Sequence, residues 1–133
     1  MKIMKNKFME VIQEPVTLNG VKIDDYIIIN RDDGVVMIPI LDNGNMVLTK
    51  QYRYCLGKQS IEIPKGFIDK GERPINAAQR ELIEEIGFKA KHLVLIGQLT
   101  MHASTEKQIT HVFLATGLRQ AEGEQDDTED IKV

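Results

Sequence analysis

The feature that most constrains this fold is one helical segment, bounded by Pro74 and Gly87, in a chain whose other ordered-looking runs resemble strands. Pro74 suits the first position of a helix, and Gly87 supplies the residue type that commonly ends one. At about 100° per residue, apolar side chains share one helical face. They are Ile75, Ala78, Leu82 and Ile86. A helix with one apolar face must pack on another element, so the sequence predicts an α/β architecture.

The adjacent face of this helix is acidic. It carries Glu81, Glu84 and Glu85, with small Ala77 one turn earlier. Like charges four residues apart lie within about 6 Å and destabilise an isolated helix, so a compensating charge is expected. A hard divalent cation, Mg²⁺ or alternatively Mn²⁺, prefers such carboxylate oxygens. We expect Arg80 to pair with Glu84 or Glu72 and hold these acids in place.

A solvated, glutamate-rich surface helix is the commoner reason for acids at helical spacing. The spacing here extends well beyond the helix, however, from Gly66 and Glu72 through Arg80-Glu81-Leu82 and Glu84-Glu85 to Gly87-Phe88. Seven fixed Gly, Glu and Arg positions give a chance match on the order of 10⁻⁸ per starting position. The pattern therefore indicates function.

Strand-like runs surround the helix. Asn19-Gly20, a strong signal for a tight turn, separates Met9–Leu18 from Val21–Asn30 and predicts a hairpin. The run Gly34–Leu41, a turn at residues 42–45 and the run Met46–Tyr52 predict a second strand-turn-strand unit. Three more runs read as strands. They are Ser60–Ile63, which Pro64 ends before an expected loop, then His92–Leu99 and Gln108–Thr116, joined by a polar loop.

Composition sets the limits. A chain of 133 residues suits one domain, 1–133, and 42% hydrophobic with 28% charged residues is ordinary for a globular protein. The net charge of −3 lacks the basic stripe of a nucleic-acid binder. Without an apolar run of about 18 residues or a signal segment, we expect no membrane association and a cytoplasmic location. We expect the single Cys55 to be a small buried residue.

The pattern Gly-x5-Glu-x7-Arg-Glu-Leu-x-Glu-Glu-x-Gly-Phe at residues 66–88 resembles the Nudix box without a substitution. This resemblance implies a Nudix-type α/β/α sandwich around a mixed β-sheet, with an N-terminal antiparallel hairpin in residues 1–33 that would serve a homodimer. It also implies hydrolysis of a diphosphate that links a nucleoside to another group. The implied metal ligands are Glu81, Glu84, Glu85 and the backbone carbonyl of Lys65. Catalytic roles fall on Glu85 and Arg80, and structural roles on Gly66, Glu72 and Gly87.

Four further segments resemble the ADP-ribose pyrophosphatase branch. They are Gln51–Tyr54, Ile61–Pro64, Gly66–Asp69 and Thr128–Val133. The branch implies cleavage of ADP-ribose or a related ADP-sugar to AMP and a sugar phosphate. Its members carry a late acidic loop that supplies the catalytic base and a further metal contact. Here we expect the base among Glu129, Asp127, Glu124 and Glu122, in that order, with Glu129 also on the metal.

For substrate binding we assign Arg53, whose guanidinium suits a phosphate, together with Glu62, Ser104 and Glu106. Tyr26, Phe67 or an aromatic side chain of a partner chain would stack on the base. The branch usually has Pro-Gly where this chain has Ala103-Ser104, so dinucleoside polyphosphates, other sugar nucleotides and nucleoside triphosphates stay open as substrates.

A nucleotide sensor of Nudix fold that does not turn its ligand over is the alternative outside enzymes, and the intact acids at 81, 84 and 85 disfavour it. Relatives also carry a C-terminal helix, which we expect to be absent from a chain that stops at Val133.

Overall fold

The structure, a computed structural model, describes residues 1–121. Its strands are β1 (Lys2–Lys5), β2 (Met9–Leu18), β3 (Val21–Arg31), β4 (Gly34–Pro39), β5 (Thr49–Arg53), β6 (Lys58–Glu62), β7 (Lys65–Phe67), β8 (Phe88–Leu99), β9 (Glu106–Lys107) and β10 (Thr110–Gln120). A single 3₁₀ turn covers Tyr54–Leu56, and among the described residues the one α-helix is α1 (Pro74–Ile86).

The N-terminal sheet has the order β1-β2-β3-β9. Asn19 and Gly20 both adopt positive φ, 51° and 80°, which is the geometry that a tight two-residue hairpin turn requires, and β2 pairs antiparallel with β3 as predicted. Two members of this sheet were not predicted. They are β1, which pairs with β2, and β9, which joins β3 in parallel through Ile29 opposite Glu106.

The second sheet is mixed, with the order β7-β4-β10-β8. β4 runs parallel to β10 and antiparallel to β7, while β10 runs antiparallel to β8. Within β4, Val35 and Met37 are fully buried although they differ by two positions from the partly exposed Val36 and Ile38 on the other face. β4 is therefore an interior strand of the sheet on which the helix packs.

Two sequence predictions around β4 were wrong. The runs at Gly34–Leu41 and Met46–Tyr52 are joined by a bridge between Ile40 and Met46, but β5 pairs with β6 in a separate hairpin. The reason is that β7 and β10 already occupy both edges of β4. The loop expected after Pro64 begins as a three-residue strand, β7, on one of those edges.

α1 begins at Pro74 and ends at Gly87, whose φ of 70° is left-handed, as the sequence predicted. Ala77 and Ala78 are fully buried, so small side chains let the helix approach the sheet closely. Leu82 and Ile86 pack in the same core as Met37 and Phe113. The mixed α/β class is confirmed, with one helix on the sheet within residues 1–121.

The β5–β6 hairpin reverses the usual polarity of a hairpin. Thr49 and Gln51 are buried, whereas Tyr52 and Tyr54 are 52% and 90% exposed, contrary to the prediction that such tyrosines belong to the core. Cys55 is exposed as well, so its predicted burial was wrong. The hairpin turns its polar side chains toward the rest of the protein and places these residues outside. Among residues 1–121, no helix has the length and apolar character needed to cross a membrane.

Candidate active site

The acidic face of α1 lies against β7, and the closest contact is between Glu81 and Gly66. A β-carbon placed on Gly66 would be 1.9 Å from Cδ of Glu81 and 2.0 and 2.3 Å from its two carboxylate oxygens. Residue 66 is therefore glycine because the Glu81 carboxylate occupies the space where any side chain would begin. This contact seats one predicted metal ligand directly on the strand before the helix.

Arg80 is the centre of the site. Its Nε and Nη2 atoms donate to the two carboxylate oxygens of Glu72 at 3.1 and 3.0 Å, a two-point pairing across the loop. Its Nη1 atom donates to Glu81 at 2.7 Å and to Glu84 at 3.0 Å, and Nη2 also reaches the carbonyl of Phe67 at 2.9 Å. Both pairings considered from the sequence, with Glu84 and with Glu72, are present together. Arg80 thus supplies positive charge between neighbouring acids.

Glu72 closes the loop between β7 and α1. Besides the two bonds from Arg80, its carboxylate accepts a hydrogen bond of 3.0 Å from the backbone N–H of Asp69. These hydrogen bonds, those from Arg80 first, lower the pKa of Glu72 below its ordinary 4.5 against the opposing effect of burial. The first acid of the signature is a clamp that holds the loop to the helix.

Glu85 is the most buried acid of α1, with 3% of its surface exposed. Its Oε2 atom accepts a hydrogen bond of 2.7 Å from the backbone N–H of Lys65. Lys65 is also the residue whose carbonyl the family resemblance assigns to the metal. Glu85 and the backbone of β7 are therefore in direct contact.

Arg53 and Glu62 face each other across the β5–β6 hairpin. Nε and Nη2 of Arg53 donate to the two oxygens of Glu62 at 2.8 and 2.6 Å, and the Nζ atom of Lys65 also contacts Glu62. These cations, Arg53 first, hold the pKa of Glu62 well below its usual range. The two residues assigned to substrate from the sequence are therefore bonded to each other and, through Lys65, to the acidic helix.

The other two residues assigned to substrate lie in and after the loop between β8 and β9. The Tyr26 hydroxyl donates to the carbonyl of Ser104, and the N–H of Ile29 donates to the carbonyl of Thr105 at 2.7 Å. Glu106 begins β9 and lies 3.8 Å from Nε of Arg31. This loop is fastened to the N-terminal sheet.

The acids of α1 have the right chemistry for a hard cation, because Glu81, Glu84 and Glu85 present carboxylate oxygens beside the backbone of residues 65 and 66. In the arrangement described, Arg80 bonds to the first two and Lys65 to the third. Accordingly, no three such side chains within residues 1–121 converge in positions that would hold an ion. The acids predicted to complete the site, Glu122, Glu124, Asp127 and Glu129, lie outside the described residues.

Sequence reasoning missed two features of this site. One is the side chain of Lys65, which was considered only for its carbonyl. The other is the fastening of the 101–106 loop by Tyr26. The lysine follows Glu62 at i,i+3 and had a signal in its spacing, whereas the Tyr26 contact joins distant segments and had none.

Comparison with known proteins agrees with this geometry. The NUDIX domain family model matches residues 30–133. Over 128 residues the chain is 34% identical to an ADP-ribose pyrophosphatase of Bacillus subtilis (strain 168), which covers 96% of this chain and 69% of that protein. It is also 34% identical over 94 residues to an ADP-ribose pyrophosphatase of Mycobacterium tuberculosis (strain ATCC 25618 / H37Rv), covering 70% of this chain and 45% of that one.

Among solved structures, a crystal structure of an ADP compounds hydrolase superposes with a TM-score of 0.82 at 26% identity, covering 99% of this chain and 72% of that chain. The chain therefore belongs to the NUDIX family and is a Nudix hydrolase by class. Within that family its likeness is to the ADP-ribose pyrophosphatase branch, as the segments outside the box predicted.

Proposed function

We propose that this protein hydrolyses the diphosphate bond of a nucleoside diphosphate derivative in a Mg²⁺-dependent reaction, with ADP-ribose or a related ADP-sugar as substrate and AMP and a sugar phosphate as products. The observation that carries the proposal is the network around Arg80. It holds Glu81 and Glu84 beside Gly66 while Glu85 contacts Lys65. These are charges arranged for a reaction that is mainly a matter of positioning.

Glu81, Glu84, Glu85 and the carbonyl of Lys65 would hold the metal, with Glu129 as a further ligand. When bound, Mg²⁺, or Mn²⁺ in its place, neutralises diphosphate oxygens and lowers the pKa of a bound water. Arg80 remains tied to Glu72 through two bonds and to the Phe67 carbonyl, so it keeps the helix acids in register with β7. Gly66 leaves room for the Glu81 carboxylate.

A carboxylate of the segment after β10 would accept the proton of the attacking water, as general bases do when held within hydrogen-bond reach. We assign this to Glu129, then to Asp127, Glu124 and Glu122. The similarity to ADP-ribose pyrophosphatases supports an adenine nucleotide as substrate. Arg53 would contact its phosphates, Ser104 and Glu106 its sugar side, and Phe67 or Tyr26 its base. A homodimer and a cytoplasmic location belong to the same proposal.

A substrate panel tests the reaction. The protein is incubated with Mg²⁺ and, separately, ADP-ribose, other sugar nucleotides, a dinucleoside polyphosphate and a nucleoside triphosphate, and phosphomonoester products are separated by chromatography. We expect ADP-ribose to give AMP at the highest kcat/KM. A higher kcat/KM for another member would replace the substrate but keep the reaction. Binding without turnover of any member would identify a nucleotide sensor instead.

The metal assignment has its own test. Glu85→Gln keeps the shape of the buried side chain and removes its charge, so we expect kcat to fall by on the order of 10²-fold or more. Mg²⁺ affinity, measured by calorimetry without substrate, should fall in parallel. Glu14→Gln, an exposed change on β2, is the control and should behave as wild type. Equal rates and equal Mg²⁺ affinities for Glu85→Gln and wild type would remove Glu85 from the metal site.

A further inference from the structure

We propose that the ammonium group of Lys65 and the guanidinium of Arg53, bridged by the carboxylate of Glu62, form a paired cationic site for the diphosphate oxygens of the substrate. Lys65 is the new member of this site, and its side chain would set the affinity for the anionic ligand. The inference rests on the proposed diphosphate hydrolysis and adds a specific binding residue to it.

The charges of the cluster do not cancel. Glu62 accepts two hydrogen bonds from Arg53, at 2.8 and 2.6 Å, and one from the Nζ atom of Lys65. One carboxylate thereby holds two cations, and the three side chains together carry a net positive charge. A single acid between two bases orients both of them without neutralising both, which suits recognition of an anion.

Exposure places the cations outermost. The side chains of Lys65 and Arg53 are 49% and 36% exposed, whereas that of Glu62 is 14% exposed. An anion that approaches from solvent therefore meets the two basic groups before it meets the acid beneath them. A buried carboxylate under two half-exposed cations is the order expected of a platform for phosphate.

The backbone of Lys65 fixes where this cluster lies. Its N–H donates to Oε2 of Glu85 at 2.7 Å, so the residue that carries the ammonium also touches the acidic face of α1. A diphosphate held at Glu85 and its neighbours lies within the span of the four-carbon lysine stem. The hydrogen bonds that keep the pKa of Glu62 low also keep it anionic at neutral pH, so the bridge persists there.

The test compares Lys65→Met, which removes the charge, with Lys65→Arg, which keeps it. Lys50→Met is the matched control, because Lys50 is exposed on the opposite face of the same hairpin. For each variant we would measure KM and kcat with Mg²⁺ and ADP-ribose, the binding of α,β-methylene-ADP by calorimetry, and the melting temperature.

We expect Lys65→Met to raise KM and the dissociation constant of α,β-methylene-ADP by about tenfold, with a smaller change in kcat. Lys65→Arg should restore most of the affinity, and Lys50→Met should equal wild type. The KM of the wild type should rise with salt concentration more steeply than that of Lys65→Met, because one screened charge contact is missing from the variant. If Lys65→Met does not fold, Lys65→Gln replaces it in every measurement.

Unchanged KM and unchanged binding of α,β-methylene-ADP in Lys65→Met would overturn the inference while turnover by the wild type leaves the proposed function standing. Equal losses in Lys65→Met and Lys65→Arg, accompanied by a lower melting temperature in both, would reduce Lys65 to a structural link and also overturn it. If the wild type turns over no member of the substrate panel, the proposed function fails and this inference fails with it.

Discussion

The carboxylate of Glu81 lies where the side chain of residue 66 would begin, since a β-carbon there would be 1.9 Å from Cδ of Glu81. Gly66→Ala must therefore push this carboxylate away from β7. The displaced atoms are the end of a flexible side chain, so we expect the fold to survive with a change of less than about 1 kcal/mol in the free energy of unfolding. Because small displacements of a catalytic group are costly, kcat/KM should fall by about 100-fold.

Gly97→Ala is the control for this change. A β-carbon on Gly97 meets no atom within 4 Å, and its backbone has no positive φ, so activity and stability should both match wild type. Steady-state rates and urea denaturation of both variants would check the prediction. An active Gly66→Ala variant would show that the position of Glu81 is unimportant for the reaction.

Arg80→Lys tests the network at the centre of the site. Lysine keeps the positive charge but cannot reproduce the two-point pairing with Glu72 together with the bonds to Glu81 and Glu84. We expect a loss of about 1 to 3 kcal/mol in the free energy of unfolding, measured by denaturant titration without added metal.

Arg119→Lys is the matched substitution at an exposed ion pair, where Arg119 and Asp42 are 71% and 73% exposed. This variant should lie within about 0.5 kcal/mol of wild type, because exposed pairs contribute little. Equal effects at positions 80 and 119 would mean that the network around Arg80 adds no stability beyond that of a surface pair.

Local signals predicted local structure well. The Asn19-Gly20 turn and the helix between Pro74 and Gly87 occur where the sequence placed them, because turn geometry and helix termination depend on a few adjacent residues. The box spacing likewise indicated which acids share a helical face. Its chemistry could be inferred because helix periodicity converts sequence spacing directly into spatial proximity.

Long-range pairing was the part that sequence did not reveal. β7 and β9 have three and two residues, too few for a hydrophobic period, and each exists because a distant strand offers an edge. The error on Tyr52 had a similar cause. Alternation in β5 predicted two faces correctly, but only tertiary packing determines which face is buried, and here it is the polar one.

Acid should weaken the fold through Glu72. Its folded pKa is lowered from 4.5, so below about pH 4.5 the unfolded chain binds more protons than the folded one and stability falls as pH falls. The stabilisation is fully present above that range. The stability difference between wild type and Glu72→Gln, from urea titrations at about pH 6 and about pH 3, should therefore shrink toward low pH. A difference that stays constant would show that the carboxylate of Glu72 contributes no such linkage.

Tyr26→Phe removes the hydroxyl that holds the carbonyl of Ser104. We expect a loss of about 1 kcal/mol in stability and faster amide hydrogen exchange in residues 101–106, with the rest of the protein unchanged. Tyr52→Phe, on the exposed face of the β5–β6 hairpin, is the control. Mass spectrometry of exchanged peptides would measure the effect. Identical exchange in both variants would mean that the N-terminal sheet does not restrain this loop.

The place of β10 between β4 and β8 has a consequence for how the protein is made. β4 leaves the ribosome early and β10 late, yet each is the parallel neighbour of the other. A nascent chain that has emitted the whole acidic signature still lacks the strand that completes the sheet beneath α1. Closing that pairing joins segments far apart in the chain, which is the slow kind of step in folding. The acids at 81, 84 and 85 therefore acquire their geometry only near the end of synthesis, and no shorter emerging piece of the chain holds them in it.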